Sequence, residues 1–326
     1  MKTEVLKLLK EADGYLSGQE ICDRFSVSRT AVWKVINQLK EEGYEIEAVR
    51  NRGYRLVALA DVITEAELKS RMKSRWAGVS LACYREVDST NDQAKRLAEA
   101  GSPHGTLVVA DTQTSGKGRR GRSWVSPEGT GIWMSLLMRP EIPPSHASML
   151  TLVMALAVAE GIEAETGLET LIKWPNDIVI SGKKVCGILT EMSAELDCIH
   201  YVVTGMGINV NMEEFPDELS QKATSLRIEA GRTYSRSAVI ASVMEKLESF
   251  YEEFVRYGDL RNLTEPYQRR LANRDKQVCV LAPGGSWEGT ALGINEKGEL
   301  LVKTGDGTIK SVVSGEVSVR GIYGYV

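Results

Sequence analysis

The sequence predicts a multidomain α+β protein, and three observations support this fold class. Its 326 residues exceed the roughly 100–200 residues of a typical single domain. Residues 1–60 have the pattern of helices followed by a hairpin, whereas residues 61–273 mix helices and strands without regular alternation. Residues 274–326 carry short strands between glycine-containing turns. We therefore expect three domains with these boundaries.

Residues 1–60 have the pattern of a winged helix-turn-helix. Ser17-Gly18-Gln19-Glu20 has the composition of a capping box and starts the second of three expected helices. Ser28 can cap the third helix, and residues 45–57 alternate around the hairpin turn Asn51-Arg52-Gly53. The expected buried positions of the first and third helices follow helical spacing and are Val5, Leu6, Leu8, Leu9, Val32, Val35, Ile36 and Leu39.

The polar face of the third helix and the arginines of the hairpin predict a DNA-binding surface. The helix would enter a major groove, while the hairpin would meet phosphates or the minor groove. Residues 1–56 hold ten Lys and Arg against nine Asp and Glu, so the placement of the charge supports this prediction and its total does not. A protein-interaction module of three helices is the alternative. The residues expected to contact DNA are Ser28, Arg29, Thr30, Trp33, Lys34, Arg50 and Arg52.

The central region is expected to follow a linker at residues 60–66. The apolar stretch at residues 147–159 is shorter than the roughly 18 residues that span a bilayer, so it predicts a buried helix. Because strands and helices do not alternate regularly, a doubly wound nucleotide-binding fold is disfavoured. The predicted strands are residues 106–110, 132–138, 170–174, 178–180, 187–192 and 201–210, and the predicted helices are residues 148–166 and 237–257.

The last region, residues 276–326, is expected to form a small β-barrel. Its short strands are separated by turns at residues 283–285, 296–298 and 305–307. Short strands at this spacing are typical of small all-β domains.

Composition narrows the class of protein. The net charge of −4 argues against a chain that attracts nucleic acid by overall basicity, so any DNA contact must be local. The N-terminus lacks the features of a secretory signal, and we expect a cytoplasmic protein with no membrane partner.

Five cysteines without a Cys-x-x-Cys spacing and three histidines without a cluster predict neither disulfides nor a zinc site. Each cysteine is expected to be a core residue.

The first candidate for chemistry is the segment of residues 116–122, Gly-Lys-Gly-Arg-Arg-Gly-Arg, which we call the Gly/Arg loop. It matches the dinucleotide pattern Gly-x-Gly-x-x-Gly, yet it runs into Ser123-Trp124-Val125 instead of opening a helix. Glycines let backbone amides approach a phosphate, and the four cationic side chains suit an α-phosphate and a departing pyrophosphate. The loop therefore predicts a phosphate site, with a basic patch for nucleic acid as the alternative.

Two further segments carry candidate polar residues. In Lys173-Trp174-Pro175-Asn176-Asp177, the last two residues could position a metal or a nucleotide at the end of a strand. Lys184 lies beside a predicted buried strand, where an ammonium could meet a carboxylate and an α-phosphate together. An ordinary strand-ending turn and a solvated lysine are the alternatives.

Taken together, these motifs resemble those of biotin protein ligases. The resemblance rests on residues 88–91 (Asp-Ser-Thr-Asn), residues 113–115 with the Gly/Arg loop, residues 173–177 and residues 184–189, in the same order and spacing. With the N-terminal region, nearly the whole chain is similar to the bifunctional type that is both a biotin-[acetyl-CoA-carboxylase] ligase and a repressor of the biotin operon. The resemblance implies a central domain like that of class II aminoacyl-tRNA synthetases and an SH3-like C-terminal barrel.

The resemblance also implies the reaction. In this family the biotin carboxylate attacks the α-phosphate of ATP, with Mg2+ expected, to form biotinyl-5′-AMP. A lysine of the biotin carboxyl carrier protein of acetyl-CoA carboxylase, or of another biotin-accepting carboxylase, then takes the acyl group. No protein nucleophile is needed, which agrees with the missing catalytic Cys or Ser arrangement.

Site residues follow from the resemblance position by position. Lys184 and Arg119 match catalytic residues, and residues 211–224 match a second loop that covers the adenine. Lys117 stands where many relatives have arginine, which keeps the charge but loses bidentate hydrogen bonding. The residues that match the site for biotin and its adenylate are Ser89, Thr90, Asn91, Gln113, Lys117, Gly118, Arg119 and Lys184. Weaker matches for the nucleotide are Arg122, Asn176 and Asn209, and the resemblance assigns no metal ligands.

Repression would be linked to the enzyme through its intermediate. We expect biotinyl-5′-AMP to act as corepressor, so that closure of the Gly/Arg loop favours a homodimer that binds operator DNA. A lipoate-protein ligase and a non-catalytic metabolite-sensing transcription factor are the alternative functions. Nicotinamide-dependent redox chemistry has only the rejected glycine pattern in its favour.

Overall fold

The computed structural model describes residues 1–58, 61–282 and 285–314, together with the backbone of residues 318–321. The α-helices are α1 (Lys2–Glu11), α2 (Gly18–Phe25), α3 (Arg29–Glu41), α4 (Glu65–Arg71), α5 (Thr90–Glu99), α6 (Met149–Thr166), α7 (Asp217–Ser220), α8 (Leu226–Ala230), α9 (Arg236–Tyr257) and α10 (Thr264–Arg269). The strands are β1 (Glu45–Val49), β2 (Gly53–Ala58), β3 (Leu81–Val87), β4 (Thr106–Gln113), β5 (Gly131–Met138), β6 (Leu171–Lys173), β7 (Asp177–Ile180), β8 (Lys183–Ala194), β9 (Ile199–Asn209), β10 (Gln277–Ala282), β11 (Gly285–Ile294), β12 (Leu300–Lys303), β13 (Ile309–Val312) and β14 (Ser318–Gly321).

The first 58 residues form three helices and an antiparallel hairpin around their own core. The hydroxyl of Ser28 accepts a hydrogen bond from Ala31 N at 3.2 Å and begins α3, as predicted. Ser17 also caps α2, but its partner is Gln19 N, and no return bond from Glu20 is seen in the described part of the chain. The predicted buried positions are all in this core, which includes Val5, Leu6, Leu8, Leu9, Val32, Val35, Ile36 and Leu39.

The central region is built on a seven-stranded sheet in the order β3-β4-β5-β9-β8-β7-β6. The β3–β4 pair is parallel and the other pairs are antiparallel. Helices α6 and α9 pack together and belong to the large core on one side of the sheet, while α5 packs against β4, β5 and β9. Each predicted strand and helix of this region is present, with bounds that differ by a few residues.

Helix α6 contains the apolar stretch that predicts a buried helix, and this prediction is confirmed. Thirteen of its 18 residues are buried, from Met149 to Thr166. The helical segment Pro144–Thr166 is long and apolar enough to cross a membrane by length and composition, but 72% of its most apolar window is buried inside the protein. Burial on all sides explains why the helix lacks a polar face.

The C-terminal strands form a five-stranded antiparallel sheet in the order β13-β12-β11-β10-β14. Their buried residues, such as Val278 and Leu300, continue the core of the central region. Trp174 joins the two regions directly, because its indole Nε1 donates a hydrogen bond of 3.1 Å to the carbonyl of Gly298. The predicted turn at residues 283–285 lies partly outside the described residues, as does the end of the predicted barrel beyond residue 321.

Six elements of the central region are missing from the sequence prediction: α4, β3, α5 and the short helices α7, α8 and α10. The expected linker at residues 60–66 is shorter on its C-terminal side, because α4 begins at Glu65 and Ala66 is buried. Strand β3 and helix α5 also went unrecognised. β3 has no fully buried position, so its alternation is weak, and α5 is a polar helix whose apolar face consists largely of alanines.

Glu67 on α4 connects the N-terminal helices to the central region. Its side chain is 1% exposed, yet Lys10 Nζ from α1 and Arg71 Nε lie 2.7 and 2.6 Å from its Oε1. Tyr44 donates its hydroxyl to Oε2 at 2.6 Å, and Ser237 of α9 donates to Oε1 at 3.2 Å. Burial raises the pKa of this carboxyl, but the hydrogen bonds from Lys10, Tyr44 and Arg71 outweigh burial and leave it below its usual value.

We predict that Glu67→Gln lowers the free energy of unfolding by about 3–5 kcal/mol, because Lys10 and Arg71 are left near a neutral amide. The lowered pKa in the folded state means that the stabilisation is present above the usual glutamate pKa and is lost as the pH falls through the folded value. Urea denaturation between neutral and acidic pH measures both effects. Glu65→Gln, on the same helix but exposed beside Lys69, is the control. Equal stability losses in the two variants would contradict the role of Glu67.

Candidate functional site

A small cavity of about 50 Å³ lies between the start of α5, the middle of β8 and β9, and the Gly/Arg loop. Every residue predicted for the biotin and adenylate site lines it, so the fold brings together side chains up to 95 positions apart in the sequence, from residue 89 to residue 184. These residues are Ser89, Thr90, Asn91, Gln113, Lys117, Gly118, Arg119 and Lys184.

One end of the cavity is a hydrogen-bonded cluster at the N-terminus of α5. The carbonyl oxygen of Gln113 accepts from Thr90 N at 2.8 Å and from the Thr90 hydroxyl at 3.1 Å. The amide of Gln113 donates to Ser126 Oγ at 2.8 Å, which fixes the orientation of the side chain. A polar molecule at this end therefore meets groups that are already held in place.

Asn91 is the most constrained polar residue of the cavity. Its Oδ1 lies 2.6 Å from Ser135 Oγ on β5, and its amide donates to Glu191 Oε2 at 2.7 Å. Glu191 is also paired with Lys95 at 2.7 Å. Neither Ser135 nor Glu191 is among the predicted site residues, because each lies inside a strand where only the pairing of strands reveals its neighbours.

Glycines of β8 and β9 form the floor of the cavity. Gly187 and Gly207 are directly paired, and Gly205 lies two residues earlier on β9. A Cβ atom at Gly205 would lie 2.1 Å from Asn91 Oδ1, and one at Gly207 would lie 2.5 Å from Nε1 of Trp124. Only residues without a side chain let Asn91 and Trp124 approach the sheet this closely.

Trp124 covers this floor and is a site residue that the sequence prediction missed. The Nζ atom of Lys184 lies 5.1 Å from the centre of its ring, within the range of a cation–π contact. Its Nε1 is buried and has no hydrogen-bond partner among the described residues. An aromatic residue directly after a polar, glycine-rich loop is the signal that could have identified it.

Lys184 projects from the start of β8 toward the adjacent hairpin strand. Its Nζ forms an ion pair of 2.6 Å with Asp177 Oδ1 at the start of β7. Asn176 donates to the same carboxylate oxygen at 3.2 Å and to the carbonyl of Ile188 at 3.0 Å. The turn of residues 173–177 therefore holds Lys184 in position. It also contains Asn176, which the sequence predicts as a nucleotide-binding residue.

Arg119 anchors the Gly/Arg loop over the cavity. Its guanidinium donates to Asn176 Oδ1 at 2.8 Å and to the carbonyl of Ser314, after β13, at 2.9 Å. Burial lowers the pKa of Arg119 while nearby Asp177 acts in the opposite direction, and an arginine keeps its positive charge under both influences. On the same loop, Lys117 Nζ lies 2.6 Å from Asp92 Oδ2 of α5.

A second, wider cleft continues from the first cavity. Gly118, Arg119, Trp124, Asn176 and Lys184 line both spaces. The three weaker nucleotide candidates, Arg122, Asn176 and Asn209, line the cleft, together with Thr130 and residues of the segment 212–223. Within the predicted second loop, residues 211–224, the structure forms the short helix α7.

Asn176 and Asp177 are the candidate oxygen donors for a divalent cation in this region. Carboxylate and amide oxygens suit Mg2+. Here both side chains are engaged, since Asp177 is paired with Lys184 and Asn176 accepts from Arg119. A magnesium ion held by Asp177 would therefore share this carboxylate with the lysine.

The predicted DNA-contacting residues all lie on the surface of the N-terminal unit. Trp33 is 57% exposed on α3, and Arg29 at the start of that helix donates to Gln19 Oε1 at 2.9 Å. Arg52 of the hairpin lies over the ring of Tyr15 at 5.0 Å. The exposed residues of the predicted surface are Ser28, Arg29, Thr30, Trp33, Lys34, Arg50 and Arg52.

Comparisons with known sequences match all three parts of the chain. The family described as biotin/lipoate A/B protein ligase matches residues 83–209. A helix-turn-helix domain matches residues 2–55, and the C-terminal domain of biotin protein ligases matches residues 275–320. The fold and the site therefore define a protein ligase domain of the biotin and lipoate class that is joined to a helix-turn-helix.

Relatives that match over the full length identify the family more closely. The chain is 43% identical to the bifunctional ligase/repressor BirA of Bacillus spizizenii, over 98% of both chains. It is 29% identical to BirA of Escherichia coli, over 93% of this chain and 92% of the relative. The biotin protein ligase of Aquifex aeolicus, solved in complex with biotin and ATP, is 34% identical, covers 74% of this chain and 99% of its own, and has a TM-score of 0.67. The chain belongs to the family of bifunctional biotin ligases and repressors.

We predict that Asn176→Ala loosens the Gly/Arg loop, because Arg119 loses a hydrogen bond from a charged donor. Such bonds contribute about 1.5 kcal/mol or more, which corresponds to a roughly tenfold change in the open fraction of the loop. The initial rate of tryptic cleavage within residues 117–122 measures this change. Asn262→Ala, which removes an exposed hydrogen bond to Glu253, is the control. Unchanged cleavage in Asn176→Ala would show that Asn176 does not hold the loop.

Proposed function

We propose that this protein is an ATP-dependent biotin protein ligase that also represses transcription in response to biotin. It forms biotinyl-5′-AMP and transfers biotin to a lysine of the biotin carboxyl carrier protein of acetyl-CoA carboxylase. The observation that carries this proposal is the single cavity in which prearranged polar groups at one end face Lys184 and Arg119 at the other. The genes it represses are those of biotin synthesis and transport.

The polar end of the cavity binds the ureido ring of biotin in this proposal. A ureido group has two N–H donors and one carbonyl acceptor, so it requires both kinds of partner. Ser89, Thr90, Asn91 and Gln113 supply hydroxyl and amide groups, and hydrogen bonds to neighbouring residues hold the last three before the ligand arrives.

Lys184 and Arg119 act on the reacting groups. When the carboxylate attacks the α-phosphate, negative charge increases on the phosphate oxygens, and two fixed cations stabilise that charge. Lys117, Gly118 and Arg122 of the Gly/Arg loop close over the adenylate, while Asn176 and Asn209 bind the nucleotide. Asn176 and Asp177 would hold Mg2+ when it binds with ATP, and the ion would supply further charge neutralisation.

The domain arrangement follows the same proposal. Residues 1–60 are a winged helix-turn-helix, residues 61–273 a catalytic domain like that of class II aminoacyl-tRNA synthetases, and residues 274–326 an SH3-like barrel. The bond from Arg119 to the Ser314 carbonyl supports a contribution of the last domain to the closed site.

Incubation with biotin, ATP and a carrier domain tests the enzyme directly. We expect Lys184→Ala and Arg119→Ala to slow carrier modification by about 100-fold, the usual effect of removing one group that stabilises transition-state charge. Lys183→Ala, whose ammonium contacts Ser220 instead, is the matched control. Undiminished modification in Lys184→Ala would remove the proposed role, and pyrophosphate exchange with lipoate but not with biotin would replace the function by that of a lipoate ligase.

The link between the cavity and the DNA-binding domain is proposed to pass through Asp61 in the connecting segment. Arg236 Nε and Asn211 Nδ2 lie 2.8 and 3.0 Å from its Oδ2. Arg236 is 3% exposed and also donates to the carbonyl of Gly131 at 3.2 Å. Asn211 directly precedes Met212, which lines the nucleotide cleft. Adenylate in the cleft would therefore favour one conformation of the connecting segment that holds the DNA-binding domain. That conformation would in turn favour a DNA-binding homodimer.

We predict that operator affinity rises at least tenfold when biotin and ATP are added, which a fluorescence titration with operator DNA would measure. Arg29→Ala and Arg52→Ala should each weaken DNA binding about tenfold, since one lost contact costs on the order of 1–3 kcal/mol. Both variants should retain carrier modification. Lys73→Ala, an exposed charge of the central region, controls for net charge. Equal operator affinity with and without biotin plus ATP would contradict the coupling.

A further inference from the structure

The tip of the β8–β9 hairpin brings together three side chains with metal-binding atoms. Glu195, Cys198 and His200 each offer one such atom, and these atoms all lie within 4.8 Å of one another. The sequence spacing did not predict a zinc site, and each cysteine was expected to be a core residue. Cys198 is instead exposed, because it lies at the end of the hairpin turn, directly before β9, and not at a buried position within a strand.

The strand register explains why the three side chains meet. Glu195 N donates to the carbonyl of Cys198 at 2.8 Å, so these two residues face each other across a tight turn. Ser193 pairs with Tyr201 and Ala194 with Ile199, which leaves His200 as an extra residue without a partner on β8. A bulge of this kind redirects a side chain from its regular position. Arg139 fixes the bulge by donating to the His200 carbonyl at 2.9 Å.

The donor atoms and their spacing suit zinc. Zinc binds imidazole nitrogen, thiolate sulfur and carboxylate oxygen in tetrahedral geometry, with Zn–N and Zn–O bonds of about 2.0–2.1 Å. Two such ligands are then roughly 3.3–3.4 Å apart. His200 Nε2 and Glu195 Oε1 are 3.3 Å apart. The cysteine sulfur lies within 4.8 Å of both atoms, so rotation of this exposed side chain would bring it to a third position of the tetrahedron.

We propose that Glu195, Cys198 and His200 form a zinc site with water as the fourth ligand. The site lies outside both cavities of the ligase, whose lining residues on β8 extend no further than Leu189 and on β9 begin at Gly205. Binding releases the thiol proton of Cys198 to solvent, so the carboxylate and thiolate together balance the charge of Zn2+. The site is thus independent of the proposed reaction.

The test uses the untagged full-length protein and Co2+ as a spectroscopic substitute for Zn2+. We expect one equivalent of Co2+ to produce a sulfur-to-cobalt charge-transfer band that Zn2+ abolishes. Cys198→Ser should remove the band, and His200→Ala and Glu195→Ala should each weaken Zn2+ binding at least tenfold, since even the loss of an outer partner costs about 10–100-fold in metal affinity.

Asp197→Asn is the matched control, because Asp197 is an exposed acid of the same turn that does not belong to the cluster. It should bind Zn2+ like the unmodified protein. All four variants should keep the same melting temperature and carrier modification, since the altered residues are exposed. Absence of the charge-transfer band, or Zn2+ binding that is unchanged in Cys198→Ser, would overturn the proposal.

Discussion

The register between β8 and β9 is the constraint on which the site depends. It pairs Gly187 with Gly207 and aligns Leu189 with Gly205, so three of the positions that line the cavity on the two central strands are glycines. Asn91 and Trp124 occupy the space that these glycines leave. Because side chains alternate along a strand, a shift of one residue would replace the floor with the core residues Ile188, Met206 and Ile208.

A second property of the site is that its charges are already paired before substrate binds. Lys184 is held by Asp177, Lys117 by Asp92 and Asn91 by Glu191. These pairs keep cations and amides at fixed positions in a partly buried space, where an unpaired charge would be costly. In the proposed reaction, substrate would exchange one partner for another, which costs less reorganisation than ordering free side chains.

Much of the fold and of the site could be predicted from the sequence. The predictions that failed did so for physical reasons. Helix α3 was predictable because a capping serine and regular apolar spacing agree, and α6 was predictable because it is uniformly apolar. Helix α5 was not recognised, although Ser89, Thr90 and Asn91 at its start were identified from a resemblance. Ser135 and Glu191 depend on strand pairing, and no local pattern encodes them, whereas Trp124 has a local signal in its position directly after the Gly/Arg loop segment. The cluster at His200 depends on a bulge, which is also a property of two strands and not of one.

The contact between Arg119 and the Ser314 carbonyl has a consequence for how the loop moves. Arg119 joins the loop both to the turn that supports Lys184 and to Ser314 of the C-terminal region, and Lys117 joins it to α5, so opening requires several contacts to break together. A loop held at several points opens less often than a loop held at one. A reactive acyl-phosphate mixed anhydride would therefore be sheltered from water between its synthesis and its transfer, and the C-terminal sheet would contribute to the yield of the reaction as well as to the stability of the fold.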